Sequence, residues 1–295
     1  MTANRAILLT CLLMLEASFA FGQPTGPAAS SNAQKQLDLV MQRVGEAFIK
    51  EPTALGLSIG IVKDGQTYFY NFGTTEKGTG KVPTQHTIYE IGSVSKTFAS
   101  LLLAQAVLEK RVSLADDIRK YLPGKYPNLA YAGKPIRLVH LANTTSALPD
   151  NVPDRSAMLQ QAPSDSVPFL ILRADRAYTR QDFYAELHSV KVDTMPGLIP
   201  RHSNTGAQLL AYILESVYQA PFEQLVEKYI AQPLQMRSTL QAKAGNSLLA
   251  VGHNEKGHRM PYHFIESLEP SGACATARLT WRSTWHISSQ KPTRP

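Results

Sequence analysis

The chain has 295 residues, of which 43% are hydrophobic and 18% are charged, and this composition is typical of a globular protein with a packed core. It excludes a disordered, collagen-like or coiled-coil chain, and two cysteines exclude a disulfide framework or a cysteine-rich zinc site. Much of the net charge of +7 lies in the last residues, which contain no acid but hold Arg278, Arg282, Lys291 and Arg294. The rest of the chain is only mildly basic, so charge gives no support for a nucleic-acid partner.

The N-terminal segment has the pattern of a signal peptide. Arg5 precedes an almost unbroken apolar run over 6–15, and Ser18 and Ala20 provide the small residues of a cleavage site. We assign residues 1–22 to this signal, with cleavage after Ala20, and expect an exported protein in the periplasm or outside the cell. The run is too short for a stable membrane anchor. An uncleaved N-terminal helix is the alternative.

A flexible leader, a helix and a hairpin are predicted next. Residues 23–35 are assigned to the leader, because Pro, Gly, Ala and Ser dominate its first part. Residues 36–50 then carry apolar side chains at helical spacing. Two β-rich runs, 56–62 and 67–72, flank Asp64-Gly65, and this dipeptide is a strong hairpin signal.

The remaining elements are mostly helical. A helix is predicted from Ser93 to Lys110, a Pro-rich region of loops and short helices over 111–200, and a second clear helix from Thr205 to Tyr218. A third helix is predicted over 222–230, closed by Pro233. Residues 240–295 show few strand signals, although the hairpin needs further partners to be stable.

The strongest chemical signal is the pair Ser93 and Lys96. Their i, i+3 spacing places both side chains on one face of a helix. A serine hydroxyl becomes a nucleophile when a neighbouring base takes its proton, and a lysine beside it can do so. If Ser93 opens the helix, its backbone N–H also lies at the positive end of the helix dipole and favours an oxyanion. For the tetrapeptide alone, a serine N-cap with a solvated lysine is the favoured interpretation.

The surrounding sequence resembles class C β-lactamases and their relatives among penicillin-binding proteins and esterases. The resemblance extends over about residues 36–277 and rests on separate segments in the family's order: 56–62, 88–98, 112–117, 136–138, 148–149, 196–204, 209–210 and 233–236. It implies an α/β fold of the α+β kind, in which an antiparallel sheet is flanked by helices and joined to a mostly helical region. It also implies a serine hydrolase that forms an acyl-enzyme on a β-lactam, a D-alanyl peptide or an ester.

The family's second motif, Tyr-x-Asn, falls on His202-Ser203-Asn204. The resemblance implies that Asn204 orients substrate and Lys96, while His202 stands where the family has the tyrosine that helps to move the serine's proton. Histidine can act as a general base near neutral pH. A surface or hydrogen-bonded loop histidine is the open alternative. The family's His-Thr-Ser-Gly loop is replaced by Thr-Thr-Ser-Ala at 144–147, to which we assign a structural role.

The family's third motif, Lys-Thr-Gly or His-x-Gly, is absent after Asn204. In the family it lies on a C-terminal strand whose backbone supplies part of the oxyanion hole. Residues 270–277 resemble the Gly-rich segment that precedes the last helices and strands, whereas the basic tail 278–295 is foreign to the family. We therefore expect an incomplete β-lactamase-related domain over 36–277, whose reading frame is truncated or shifted; a genuine divergent tail is the alternative.

Two other interpretations compete with an active hydrolase of this family. Gly56-Leu57-Ser58-Ile59-Gly60 matches the nucleophile elbow of α/β-hydrolases, but the strand pattern continues past it. A non-catalytic binding member or inactive fragment is favoured by the missing third motif and opposed by Ser93 and Lys96. No cofactor is expected, and the spacing of the eight histidines indicates no metal site. The expected partner is a small-molecule or peptidoglycan-derived substrate.

Overall fold

A computed structural model describes residues 32–236 and 247–262, and the backbone of 280–282. Its contacts divide the chain into two units, residues 1–43 and residues 44–295. The signal peptide assigned to 1–22 and the Gly-rich segment at 270–277 lie outside the described residues.

The first elements are a helix and an antiparallel hairpin. Helix α1 spans Asn32–Ile49, so it begins inside the segment that the sequence assigned to the leader. Strands β1 (Gly56–Lys63) and β2 (Gln66–Gly73) pair along their whole length, as predicted. Asp64 and Gly65 both have positive φ, which gives the tight turn that matches the twist of the two strands.

The region after the hairpin is mostly helical, again as predicted. A 3-10 turn over Gly92–Ser95 leads directly into helix α2 (Lys96–Leu108). The α-helix therefore begins at Lys96 and not at Ser93, because the chain enters it through Gly92 with φ of +53°. Short helices follow, and their bounds in chain order are α3 Leu138–Ala142, α4 Ser156–Gln161, α5 Val167–Ala177 and α6 Arg180–Leu187.

Helix α7 (Asn204–Tyr218) lies at the centre of the core. All of its residues from Thr205 to Leu214 are buried, as expected of a helix that is surrounded by other elements. Helices α2 and α3 pack against it, and so does α8 (Phe222–Val226), which continues as a π-helical turn before Pro233. This packing fixes where α2 and α7 begin, which is where the candidate catalytic residues lie.

The strands form three separate two-stranded sheets among the described residues. Strand β3 (Ile88–Glu90) pairs antiparallel with β6 (Thr280–Arg282), and β4 (Ala130–Tyr131) pairs with β5 (Lys134–Pro135). Strand β6 lies in the tail that showed few strand signals, so the sequence analysis missed it. The α+β fold class itself is confirmed. None of the helices within the described ranges has the length and apolarity needed to cross a bilayer.

Candidate active site

Ser93 and Lys96 lie side by side where the 3-10 turn passes into α2. Side chains at i and i+3 eclipse one another in a 3-10 helix, so this short turn aligns the pair more directly than an α-helix would. Lys96 Nζ donates a hydrogen bond to Ser93 Oγ over 2.9 Å. Ser93 is exposed and Lys96 is half-buried.

Asn204 reaches the same point from the start of α7. Its Oδ1 accepts a hydrogen bond from Lys96 Nζ over 2.6 Å. Lys96 and Asn204 are the first residues of α2 and α7, so the N-terminal ends of two helices converge there. The positive ends of their dipoles favour negative charge that develops on a bound acyl group.

His202 is brought to the other side of the serine. Its Nε2 lies 3.0 Å from Ser93 Oγ, although the two residues are 109 positions apart in the chain. Its Nδ1 lies 2.7 Å from Asp150 Oδ1, and both side chains are about half exposed. The structure therefore brings together all four of the residues singled out from the sequence: Ser93, Lys96, His202 and Asn204.

The turn at 144–147 positions this side of the site. Thr144 and Ala147 have positive φ, and the buried Thr145 and Ser146 lie between them. The carbonyl oxygens of Thr144 and Thr145 accept hydrogen bonds of 2.8 Å from the N–H groups of Arg201 and Gly197. The turn thus holds the segment that leads into His202, which fits the structural role assigned to it from the sequence.

The start of α7 is joined to the loop that follows this turn. Ser203 caps the helix by accepting the N–H of Gly206 over 2.9 Å, and its hydroxyl donates to the Pro149 carbonyl over 2.8 Å. The N–H of Thr205 donates to the carbonyl of Asp150 over 3.0 Å. Residues 149–150 and the start of α7 are therefore hydrogen-bonded to each other next to His202 and Asn204.

Sequence reasoning missed Asp150 and Asn151. Asn151 Oδ1 accepts a hydrogen bond of 2.9 Å from Asn204 Nδ2, while Asp150 contacts His202. The only signal for them was their place directly after Leu148-Pro149, a segment that was noted as part of the resemblance. Their contacts with His202 and Asn204 join residues 52 and 53 positions apart, and no hydrophobic periodicity marks such contacts.

The competing nucleophile lies elsewhere. Ser58 is in the middle of β1, where its Oγ shares a hydrogen bond of 2.9 Å with the hydroxyl of Tyr89. A nucleophile elbow needs a sharp turn from strand into helix, and β1 instead continues to the hairpin turn. Burial raises the pKa of Tyr89 above its ordinary value, and the hydrogen bond from Ser58 opposes this shift only in part.

A second histidine near this region has a structural role. His140 lies in α3, where its Nδ1 accepts the N–H of Arg137 over 3.2 Å. Burial lowers the pKa of His140, and the neighbouring charge of Arg137 lowers it further. Within the described ranges, no group of three His, Cys, Asp or Glu side chains is arranged to hold a metal ion.

Comparison with known proteins gives a consistent family match. The family model described as Beta-lactamase matches residues 41–278. Among curated proteins, the chain is 29% identical over 200 residues to D-alanyl-D-alanine-carboxypeptidase/endopeptidase AmpH of Escherichia coli (strain K12), covering 68% of this chain and 49% of the relative. It is 35% identical over 119 residues to a Beta-lactamase of Lysobacter lactamgenus, covering 40% of this chain and 29% of the relative.

Among solved structures, the chain resembles the Beta-lactamase/D-alanine Carboxypeptidase from Yersinia pestis. The TM-score is 0.65 at 24% identity, over 86% of this chain and 66% of that one. This likeness shows that the two chains share a fold. The chain spans about half the length of the curated carboxypeptidase that it matches.

Proposed function

Because the chain belongs to the β-lactamase family, we propose that it is a serine hydrolase that works through an acyl-enzyme on Ser93. One observation carries the proposal: Ser93 Oγ lies 2.9 Å from Lys96 Nζ and 3.0 Å from His202 Nε2. A hydroxyl held between a cation and an imidazole can lose its proton as it attacks a carbonyl carbon.

Each site residue has a role in this proposal. Ser93 is the nucleophile, Lys96 and His202 handle its proton and the developing charge, and Asn204 holds Lys96 and contacts substrate. Water then hydrolyses the acyl-enzyme. The names of the relatives support β-lactams and D-alanyl peptides as substrates, and esters of similar shape present the same carbonyl group.

Labelling tests the nucleophile. A fluorescent penicillin and a fluorophosphonate should each modify the wild-type chain at Ser93, with the site identified by peptide mapping. Ser93→Ala should abolish the label, whereas Ser58→Ala should retain it, because Ser58 lies in a strand and bonds Tyr89. A label that persists in Ser93→Ala, or that maps to Ser58, would overturn the proposal.

A binding member of the same family is the second candidate. Turnover of nitrocefin or p-nitrophenyl esters, measured beside the labelling of Ser93, separates the two candidates. Stoichiometric labelling with no product release identifies the binding member, whereas rapid turnover identifies a complete hydrolase.

We also propose that the protein is exported through its N-terminal signal segment. Arg5, the apolar run at 6–15 and the small residues before Ala20 support this assignment. N-terminal sequencing of periplasmic material should begin near Phe21 or Gln23. An intact Met1 terminus on that material would contradict export by cleavage.

A further inference from the structure

His202 bridges two groups of opposite hydrogen-bonding character. One ring nitrogen, Nδ1, lies 2.7 Å from the carboxylate oxygen Oδ1 of Asp150. The other, Nε2, lies 3.0 Å from the hydroxyl oxygen of Ser93. The imidazole can thus hydrogen-bond a carboxylate through one ring nitrogen and a serine hydroxyl through the other.

The partners of Asp150 determine where the proton of His202 resides. An ionised carboxylate can only accept hydrogen bonds. Asp150 Oδ1 also faces the backbone N–H of Asn204 at 3.3 Å, and Oδ2 faces Asn151 Nδ2 at 3.2 Å. Since the ionised carboxylate has no hydrogen to donate and already accepts from these two N–H groups, Nδ1 of His202 carries the hydrogen of the bond between them. In the neutral ring this leaves a lone pair on Nε2, directed at Ser93.

The partners of Lys96 determine the proton of Ser93. Asn204 Nδ2 donates to Asn151 Oδ1 over 2.9 Å, which turns the amide so that its Oδ1 accepts from Lys96 Nζ. Lys96 Nζ also donates to Ser93 Oγ. A serine hydroxyl has one proton, so when its oxygen accepts from Lys96 its own O–H is available for His202 Nε2.

We infer that Ser93, His202 and Asp150 form a serine–histidine–aspartate relay, in which Asp150 is the positioning residue and His202 takes the proton of Ser93. Lys96 stays protonated and stabilises the negative charge that develops on Oγ. The inference rests on the proposed acyl-enzyme function and deepens it by assigning the base. It also gives a physical reason for histidine in place of tyrosine: an imidazole can bond a carboxylate and a hydroxyl through opposite ring nitrogens.

Bonds and protons balance in both half-reactions of the relay. In acylation, a bond forms between Ser93 Oγ and the substrate carbonyl carbon while the Oγ proton passes to His202 Nε2. The carbon–leaving-group bond then breaks, and the leaving group receives that proton from His202. In deacylation, water attacks the acyl carbon and gives a proton to His202, and Ser93 Oγ departs and receives it back. Asp150 remains ionised throughout.

The first test compares two carboxylates of the same loop. Asp150→Asn presents an amide that can donate to Nδ1, which would place hydrogen on Nε2 and block acceptance from Ser93. We expect at least about a tenfold loss in the rate of Ser93 labelling by a fluorophosphonate. Asp154→Asn is the matched control, because Asp154 hydrogen-bonds the backbone N–H and the side chain of Ser156 at the start of α4, and its rate should equal that of the wild type. An Asp150→Asn rate equal to the wild type would overturn the relay.

A double-mutant comparison separates positioning from folding. If Asp150 acts through His202, Asp150→Asn should produce no further loss when His202 is already glutamine. A purely structural role would instead reduce the labelling rate in both backgrounds and lower the melting temperature in both. Equal losses in the two backgrounds would therefore overturn the inference even if each variant folds.

A spectroscopic measurement tests the relay without activity. With ¹⁵N-labelled histidine in mildly alkaline solution, NMR should show His202 with hydrogen on Nδ1 in the wild type, and a shift of hydrogen toward Nε2 in Asp150→Asn. Hydrogen on Nε2 in the wild type would overturn the assignment. If Ser93 takes no label but this tautomer is found, the proposed function fails while the arrangement of the relay stands. If Ser93 is labelled but His202 carries hydrogen on Nε2, the proposed function stands while the relay fails.

Discussion

The helical region around α7 and the hairpin β1–β2 differ in how they are stabilised. Ten consecutive residues of α7, from Thr205 to Leu214, are buried, whereas no residue of either hairpin strand is buried. The hairpin depends on its own backbone pairing, on the turn at Asp64-Gly65, and on contact with the end of α1, where Gly45 lies against the ring of Phe72.

This difference explains where the site can be held rigidly. Lys96 and Asn204 are first residues of helices whose later turns enter the core, so apolar burial fixes the positions of both. The hairpin contributes Ser58, which lies in β1 and shares a hydrogen bond with the hydroxyl of Tyr89. The serine that the core positions is the one beside the other candidate catalytic residues.

Truncation of core and hairpin side chains should give the largest contrast. Leu209 on α7 has no exposed surface, so Leu209→Ala removes buried methyl groups and leaves a cavity, costing about 2–5 kcal/mol in the free energy of unfolding. Val62 on β1 is 47% exposed, and Val62→Ala should change stability by no more than about 0.5 kcal/mol. Chemical denaturation of both variants checks this, and equal losses would show that the two regions are not stabilised differently.

Substitution of two glycines with positive φ, Gly73 and Gly78, should separate a steric cost in stability from a purely conformational one. A Cβ on Gly73 would overlap the carbonyl oxygen of Leu55, which is held by the N–H of Thr74, whereas a Cβ on Gly78 would meet nothing within 4 Å. Gly78→Ala should cost about 1–2 kcal/mol from its backbone conformation alone. Gly73→Ala should cost about 1–3 kcal/mol more, because the added methyl group must displace backbone. Identical midpoints in denaturant would refute the steric argument.

The smallest expected effect concerns acid. The hydrogen bond from Lys120 lowers the pKa of Asp116 from 3.8 to about 2, with further contributions from the Ser113 N–H and the Tyr121 hydroxyl. A carboxyl group whose pKa is lower in the folded state than in the unfolded state stabilises the protein at pH values above its unfolded-state pKa. This contribution is lost as pH falls from 3.8 toward 2.

Asp116→Asn should therefore lower stability at neutral pH and converge with the wild type as pH falls through this window. Denaturation curves at several pH values measure the convergence. Lys120→Met should show the same sign with a smaller effect, because the other two donors to Asp116 remain. A constant difference between wild type and Asp116→Asn across the window would contradict the assigned cause.

Local signals in the sequence were sufficient for the hairpin and for α7. The Asp64-Gly65 turn predicted the hairpin, and the apolar stripe over 205–218 predicted α7 to within one residue. The start of α2 was displaced from Ser93 to Lys96 by the 3-10 turn after Gly92. Strand β6 was missed because its pairing with β3 joins residues almost 200 positions apart, and local propensity does not register such a partner.

The sequence by itself determined that Ser93 and Lys96 are neighbours, because an i, i+3 spacing in a helical turn depends on local geometry alone. It also pointed to His202-Ser203-Asn204 through a resemblance. Only the tertiary structure decided what His202 contacts. Its two ring nitrogens reach Ser93, 109 residues away, and Asp150, 52 residues away, and both distances depend on the packing of α7 and on the positive-φ turn at 144–147. Contacts at such separations are set by how buried helices pack and where loops are tied, and neither is encoded in a local pattern.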